Sequence, residues 1–71
     1  MLLQNNLKQR RQARGLTQEQ LARAVGVTRQ SIIAIEKSKY KPTIELALKL
    51  ARALECSVEA LFWLQEPQGG D

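Results

Sequence analysis

Two residues, Gly26 and Val27, separate one helical pattern from the cap of the next, and this constrains the 71-residue chain more than any other feature. Before the gap, Leu21 and Val25 recur at helical spacing. After it, Thr28 is an N-cap residue followed by Ile32 and Ile35. So short a connection cannot fold two helices back antiparallel; it sets them at a steep angle, roughly 90–120°. Gly26 supplies the residue that tolerates positive φ in such a turn. Ala22 supplies the small side chain where the two helices cross.

The remaining pattern predicts an all-α domain of five helices over residues 1–66. The first runs over about 5–14, with Leu3 and Leu7 on one face, and is stopped by Gly15 at a C′ position. The second covers 17–25 and opens on a T-x-x-Q capping box, Thr17 with Gln20. The third covers 28–37. After a basic loop, Ser38–Pro42, the fourth covers 43–55. It is apolar around much of its circumference, which makes it the candidate for the most buried helix. Ser57 caps a fifth over 57–65. Residues 67–71 read as a polar, Gly-containing tail.

Charge is unevenly divided. Residues 1–41 carry nine basic side chains against Glu19 and Glu36, a net +7; residues 42–71 carry Lys49 and Arg52 against five acids, a net −3. A basic half joined to an acidic half suggests one surface that faces a polyanion. Other functions are removed by composition. With no histidine there is no His-ligated metal and no His-based acid–base chemistry. The single cysteine, Cys56, can form neither an internal disulfide nor a Cys-rich zinc site, and reads as a small buried hydrophobe. No serine has a histidine partner, the carboxylates are scattered and there is no phosphate-cradling glycine loop, so neither an enzyme nor a cofactor is expected. The longest apolar run, Ala60 to Leu64, is too short to span a bilayer, and Met1 to Leu7 does not read as a secretory signal. The expectation is a cytoplasmic protein with no membrane partner.

Gln18 to Lys37 meets the four requirements of a helix–turn–helix: Ala22 at the crossing, Gly26 in the turn, inward Leu21, Val25, Val27, Ile32 and Ile35, and an outward polar face begun by Arg29 and Gln30. The blocks GLTQEQLA, GVTRQSI, IEKSKYKPT and SVEALF closely resemble, in order and spacing, the helix–turn–helix domain of the phage repressor/Cro type, the XRE family. The resemblance covers about Leu7 to Leu64. It implies a five-helix transcriptional regulator, a repressor by expectation, that binds a pseudo-palindromic double-stranded DNA operator as a homodimer through the major groove.

On this reading the third helix presents Arg29, Gln30, Ile33, Ala34 and Lys37. Arg29 suits guanine O6 and N7, and Gln30 suits adenine N6 and N7. Ile33 is a candidate for a thymine-methyl contact. Ala34 matches a position that reads bases in the family but can offer only a methyl group. Gln18, Thr28, Ser31, Lys37, Lys39, Tyr40 and Lys41 are expected along the DNA backbone. Arg11 and Glu36 match a family pair that ties helix one to the end of helix three. The resemblance places a dimer interface near the fifth helix, where Phe62, Trp63 and Leu64 are too many large apolar residues for one small core. Two alternatives keep a place: an antitoxin or other interaction module whose acidic or apolar surface holds a toxin or another protein, and the DNA-binding module of a longer regulator.

Overall fold

The computed structural model describes residues 2–66. The elements run β1 (Leu2–Asn5), α1 (Leu7–Ala13), α2 (Gln18–Val25), α3 (Arg29–Glu36), α4 (Ile44–Ala53), α5 (Val58–Leu61) and β2 (Phe62–Gln65). The expected tail at 67–71 lies outside the described residues.

Helix starts follow from local chemistry. The Thr17 hydroxyl accepts the Gln20 N–H at 3.0 Å while Gln20 Oε1 accepts the Thr17 N–H at 2.9 Å, closing the capping box. Thr28, Thr43 and Ser57 accept from the N–H groups of Ser31, Leu46 and Ala60 at 3.1–3.2 Å. Each such cap is worth about 1 kcal/mol. Four helices end on one left-handed residue: Gly15 (φ 70°), Gly26 (φ 77°), Ser38 (φ 59°) and Glu55 (φ 56°). At each, the next residue's N–H returns to a carbonyl five positions back, as Val27 does to Ala22 at 3.0 Å and Lys39 to Ala34 at 2.8 Å. These bonds satisfy carbonyls that a helix end otherwise leaves open.

The core is built from Leu7, Leu21, Ile32, Ile35, Leu50 and Leu61, all fully buried, with Ala22, Val25, Leu46, Ala47, Ala51, Leu54 and Phe62 around them. Burying each large side chain contributes roughly 1.5–3 kcal/mol. Ala22 at 2% exposure lets α2 and α3 meet closely. Cys56 is half-buried and packs against the same cluster. Helix α4 is central but less enclosed than its composition predicts. Leu46, Ala47, Leu50 and Ala51 face inward, while Ile44 and Leu48 are exposed at 81% and 56%.

Three expectations need correction. The fold is not purely helical: β1 and β2 pair antiparallel in a two-stranded ribbon, with Leu2 opposite Gln65, Leu3 opposite Leu64, Gln4 opposite Trp63 and Asn5 opposite Phe62. Helix one begins at Leu7 rather than near residue 5, because Asn5 is a strand residue whose Oδ1 accepts the Leu7 N–H at 3.0 Å. Leu3 therefore packs on the core from a strand and not from the helical face it was expected to share with Leu7. Helix five ends at Leu61 rather than 65, and Phe62 is extended (φ −132°, ψ 138°). An isolated ribbon of this length is marginal in water, and burial makes up the difference. Alternation puts Leu3, Asn5, Phe62 and Leu64 on one face, and there Phe62 is 8% exposed and Leu3 packs on the core.

Candidate nucleic-acid interface

Three residues, Gly26 to Thr28, connect α2 to α3. The positive φ of Gly26 turns the chain, Val27 packs on the core, and Thr28 caps α3. Because Ile32 and Ile35 are buried, α3 has only one way to face, with its N-terminal turn outward. Arg29 and Gln30 are exposed there, beside an exposed Thr28. Ile33 and Ala34 are half-buried farther along the helix, and Ser31 is half-buried with its Oγ 3.2 Å from Thr28 Oγ1.

The far end of α3 is anchored by Arg11, which is 8% exposed. Arg11 Nε donates to Glu36 Oε2 at 2.7 Å, Nη2 lies 3.4 Å from Oε1, and Nη1 donates to the Leu16 carbonyl at 2.9 Å. Gln18, expected on phosphate, donates from Nε2 to Glu36 Oε1 at 3.1 Å. Glu36 thus joins α1, α2 and α3, and the Gln18 side chain is held in that network at the first turn of α2.

Lys37, Lys39, Tyr40 and Lys41 are all exposed on the segment that follows. Among the described residues, Arg29, Lys37, Lys39 and Lys41 make no ion pair, whereas Arg11, Arg14, Arg23 and Lys49 each face a carboxylate within 4.0 Å. Positive charge is therefore left unpaired along α3 and the loop after it, four cations close together in sequence; Lys8, Arg10 and Arg52 also make no ion pair among the described residues. Such an arrangement attracts phosphate without chemistry of its own. Among the described residues no group of side chains is placed to hold a metal ion, and no helix is long and apolar enough to cross a membrane.

The trio expected at a dimer interface is split by the ribbon. Phe62 belongs to this chain's own core, so it is not free for a partner; Trp63 (42%) and Leu64 (61%) are exposed and, one residue apart on a strand, point to opposite faces. Leu2, unmentioned by the helical reading, is 64% exposed on the Trp63 face. Asn5 was also missed. Its Nδ2 donates to the Ile35 carbonyl at 3.0 Å. An Asn-Asn pair before a helix signals an Asx-type turn, but nothing local points to a partner thirty positions away.

Two helices set across a glycine turn, the second exposing a polar face beside unpaired cations, define a DNA-binding helix–turn–helix protein. The family model described as Helix-turn-helix matches residues 7–61, and the chain belongs to this family of transcriptional regulators, the XRE or Cro/C1 type. It is 45% identical over 64 residues to the HTH-type transcriptional regulator YgzD of Bacillus subtilis, covering 90% of this chain and 97% of that one. It is 44% identical over 66 residues to an HTH-type transcriptional regulator of Methanocaldococcus jannaschii, covering 93% and 100%. Among solved structures, the P22 c2 repressor in complex with a synthetic operator superimposes with a TM-score of 0.73 at 34% identity, over 75% of this chain and 80% of that one.

Proposed function

We propose that the protein is a repressor that binds a pseudo-palindromic operator as a homodimer, placing two copies of α3 in successive major grooves roughly 34–36 Å apart. The observation that carries this is the exposed start of α3 flanked by the unpaired Arg29, Lys37, Lys39 and Lys41. In this reading Arg29 and Gln30 read base edges, and the half-buried Ile33 and Ala34 offer apolar contact to thymine methyl groups. Thr28, Ser31, Lys37, Lys39, Tyr40 and Lys41 follow the phosphates. Gln18 reaches the backbone from the place in which Glu36 holds it, and the N-terminus of α2 adds its N–H groups. The operator-bound P22 c2 repressor supports DNA as the ligand.

The second subunit covers the ribbon, with Leu2, Trp63 and Leu64 in contact. Occupancy of the operator then blocks RNA polymerase. Selection of duplexes from a random pool, followed by titration of the selected sequence at low and moderate salt, tests the reading. A two-fold-related consensus bound well above random duplex is expected; no retardation at low ionic strength overturns it. The exposed Trp63 and Leu64 also suit a different protein partner, such as a toxin. That reading gains if the chain is monomeric and co-purifies with the product of an adjacent gene.

A further inference from the structure

Asn5 joins parts of the chain thirty residues apart. Its Nδ2 donates to the Ile35 carbonyl in the last turn of α3 at 3.0 Å and lies 3.4 Å from Ser38 Oγ, while its Oδ1 accepts the Leu7 N–H at 3.0 Å. The Ile35 carbonyl also accepts the Ser38 N–H at 3.0 Å, so Asn5 supplies a second donor to the bond that ends the helix. Ser38 is left-handed at φ 59° without being glycine, a conformation that persists only where the surroundings hold it. Leu3, Asn5 and Phe62, all on the inner face of the ribbon, line a shallow groove with Ile35, Ser38 and Tyr40. The ribbon is therefore in contact with the end of α3 and the start of the basic loop.

We propose that Asn5 is a positioning residue for the DNA interface: through it, the ribbon fixes the C-terminal turn of α3 and the path of Lys39, Tyr40 and Lys41. The proposal rests on the DNA-binding reading. The chemistry of the side chain allows its two jobs to be separated. Aspartate keeps the oxygen that accepts the Leu7 N–H and so keeps the start of α1. It loses the donor to the Ile35 carbonyl and sets a carboxylate oxygen against it instead.

The test uses the full chain and the selected operator duplex, with Asn5→Ala, Asn5→Asp and a charge control, Gln9→Glu, on an exposed part of α1. Amide hydrogen exchange of the free protein is followed at Ser38 and Lys39. The expected result for Asn5→Asp is an operator affinity lower by about fivefold, because the loosened turn must be ordered again on binding DNA. It should also show exchange at Ser38 and Lys39 raised more than exchange in α4, with Tm lower by a few degrees. Gln9→Glu should bind like wild type. Should Asn5→Ala not fold, Asn5→Asp carries the test alone. Wild-type affinity in Asn5→Asp, while Arg29→Ala loses affinity, overturns this proposal and leaves the function standing; so does unchanged protection at Ser38 and Lys39. A wild-type chain that binds no duplex removes both.

Discussion

Arg11 Nε and Glu36 Oε2 lie 2.7 Å apart with both side chains under 10% exposed, so α3 is tied to α1 by an ion pair almost out of reach of water. Removing one partner leaves the other buried and uncompensated, which typically costs about 3–5 kcal/mol. Glu36→Ala is expected to lose that much, a large share of the stability of so small a domain. Glu36→Gln retains an acceptor for Arg11 and should lose less. Urea unfolding of the two variants measures the difference; a Glu36→Gln variant as stable as wild type would show that the charge contributes nothing beyond the hydrogen bond, and a loss equal to that of Glu36→Ala would show that the charge carries the whole interaction.

The four left-handed helix ends make opposite predictions for glycine and non-glycine residues. A Cβ at Gly26 meets nothing within 4 Å, so Gly26→Ala is penalised through φ alone, by about 1–2 kcal/mol. At Glu55 the strain is already present. Glu55→Gly relieves it and gives up an exposed pair with Arg14 at 2.6 Å, a type of contact worth about 0–1 kcal/mol. A net gain of about 0.5–1 kcal/mol is expected, or a few degrees in Tm by thermal melting.

Base reading and phosphate tracking separate by their salt dependence. Arg29→Ala is expected to lose about 1–3 kcal/mol against the selected operator and to relax preference at one base pair per half-site. Lys39→Ala should weaken all duplexes alike and reduce the salt slope by about 1. Binding curves for operator and random duplex across a salt series check both.

Self-association is expected to depend on the exposed part of the ribbon. Leu64 is 61% exposed, so Leu64→Glu should leave the fold intact and shift sedimentation equilibrium towards monomer. Operator affinity should fall with it, because half-sites are then bound singly. An unchanged dimer in Leu64→Glu and Trp63→Ala together would place the interface elsewhere, with the exposed Ile44 and Leu48 of α4 next to be examined.

Much of the fold was legible because its signals are local. Thr17 with Gln20, Thr28, Thr43 and Ser57 each satisfy an N–H three residues on, and Gly15 and Gly26 stop helices by their own φ. What escaped is non-local. Phe62-Trp63-Leu64 continues a helical run in sequence, and a short apolar stretch does not distinguish helix from strand. Only pairing with Leu2–Asn5, almost sixty residues earlier, decides it. Glu55 was hidden for another reason: the position suits glycine, and a glutamate there gives no sign of a helix end. At the candidate interface the exposure of Arg29 and Gln30 follows from the burial of Ile32 and Ile35. The hydrogen bonds of Gln18 and Asn5 depend on tertiary placement that spacing does not carry.

The pairing of Leu2 with Gln65 brings two distant stretches of backbone side by side. A backbone cyclised by a short linker across that gap, and reopened at an exposed turn such as Gly15, should keep the same helices while starting and ending elsewhere. Closure would also restrict the unfolded chain, because the loop it seals runs from Leu2 to Gln65. Left unopened, the cyclic chain should therefore melt higher than the linear one.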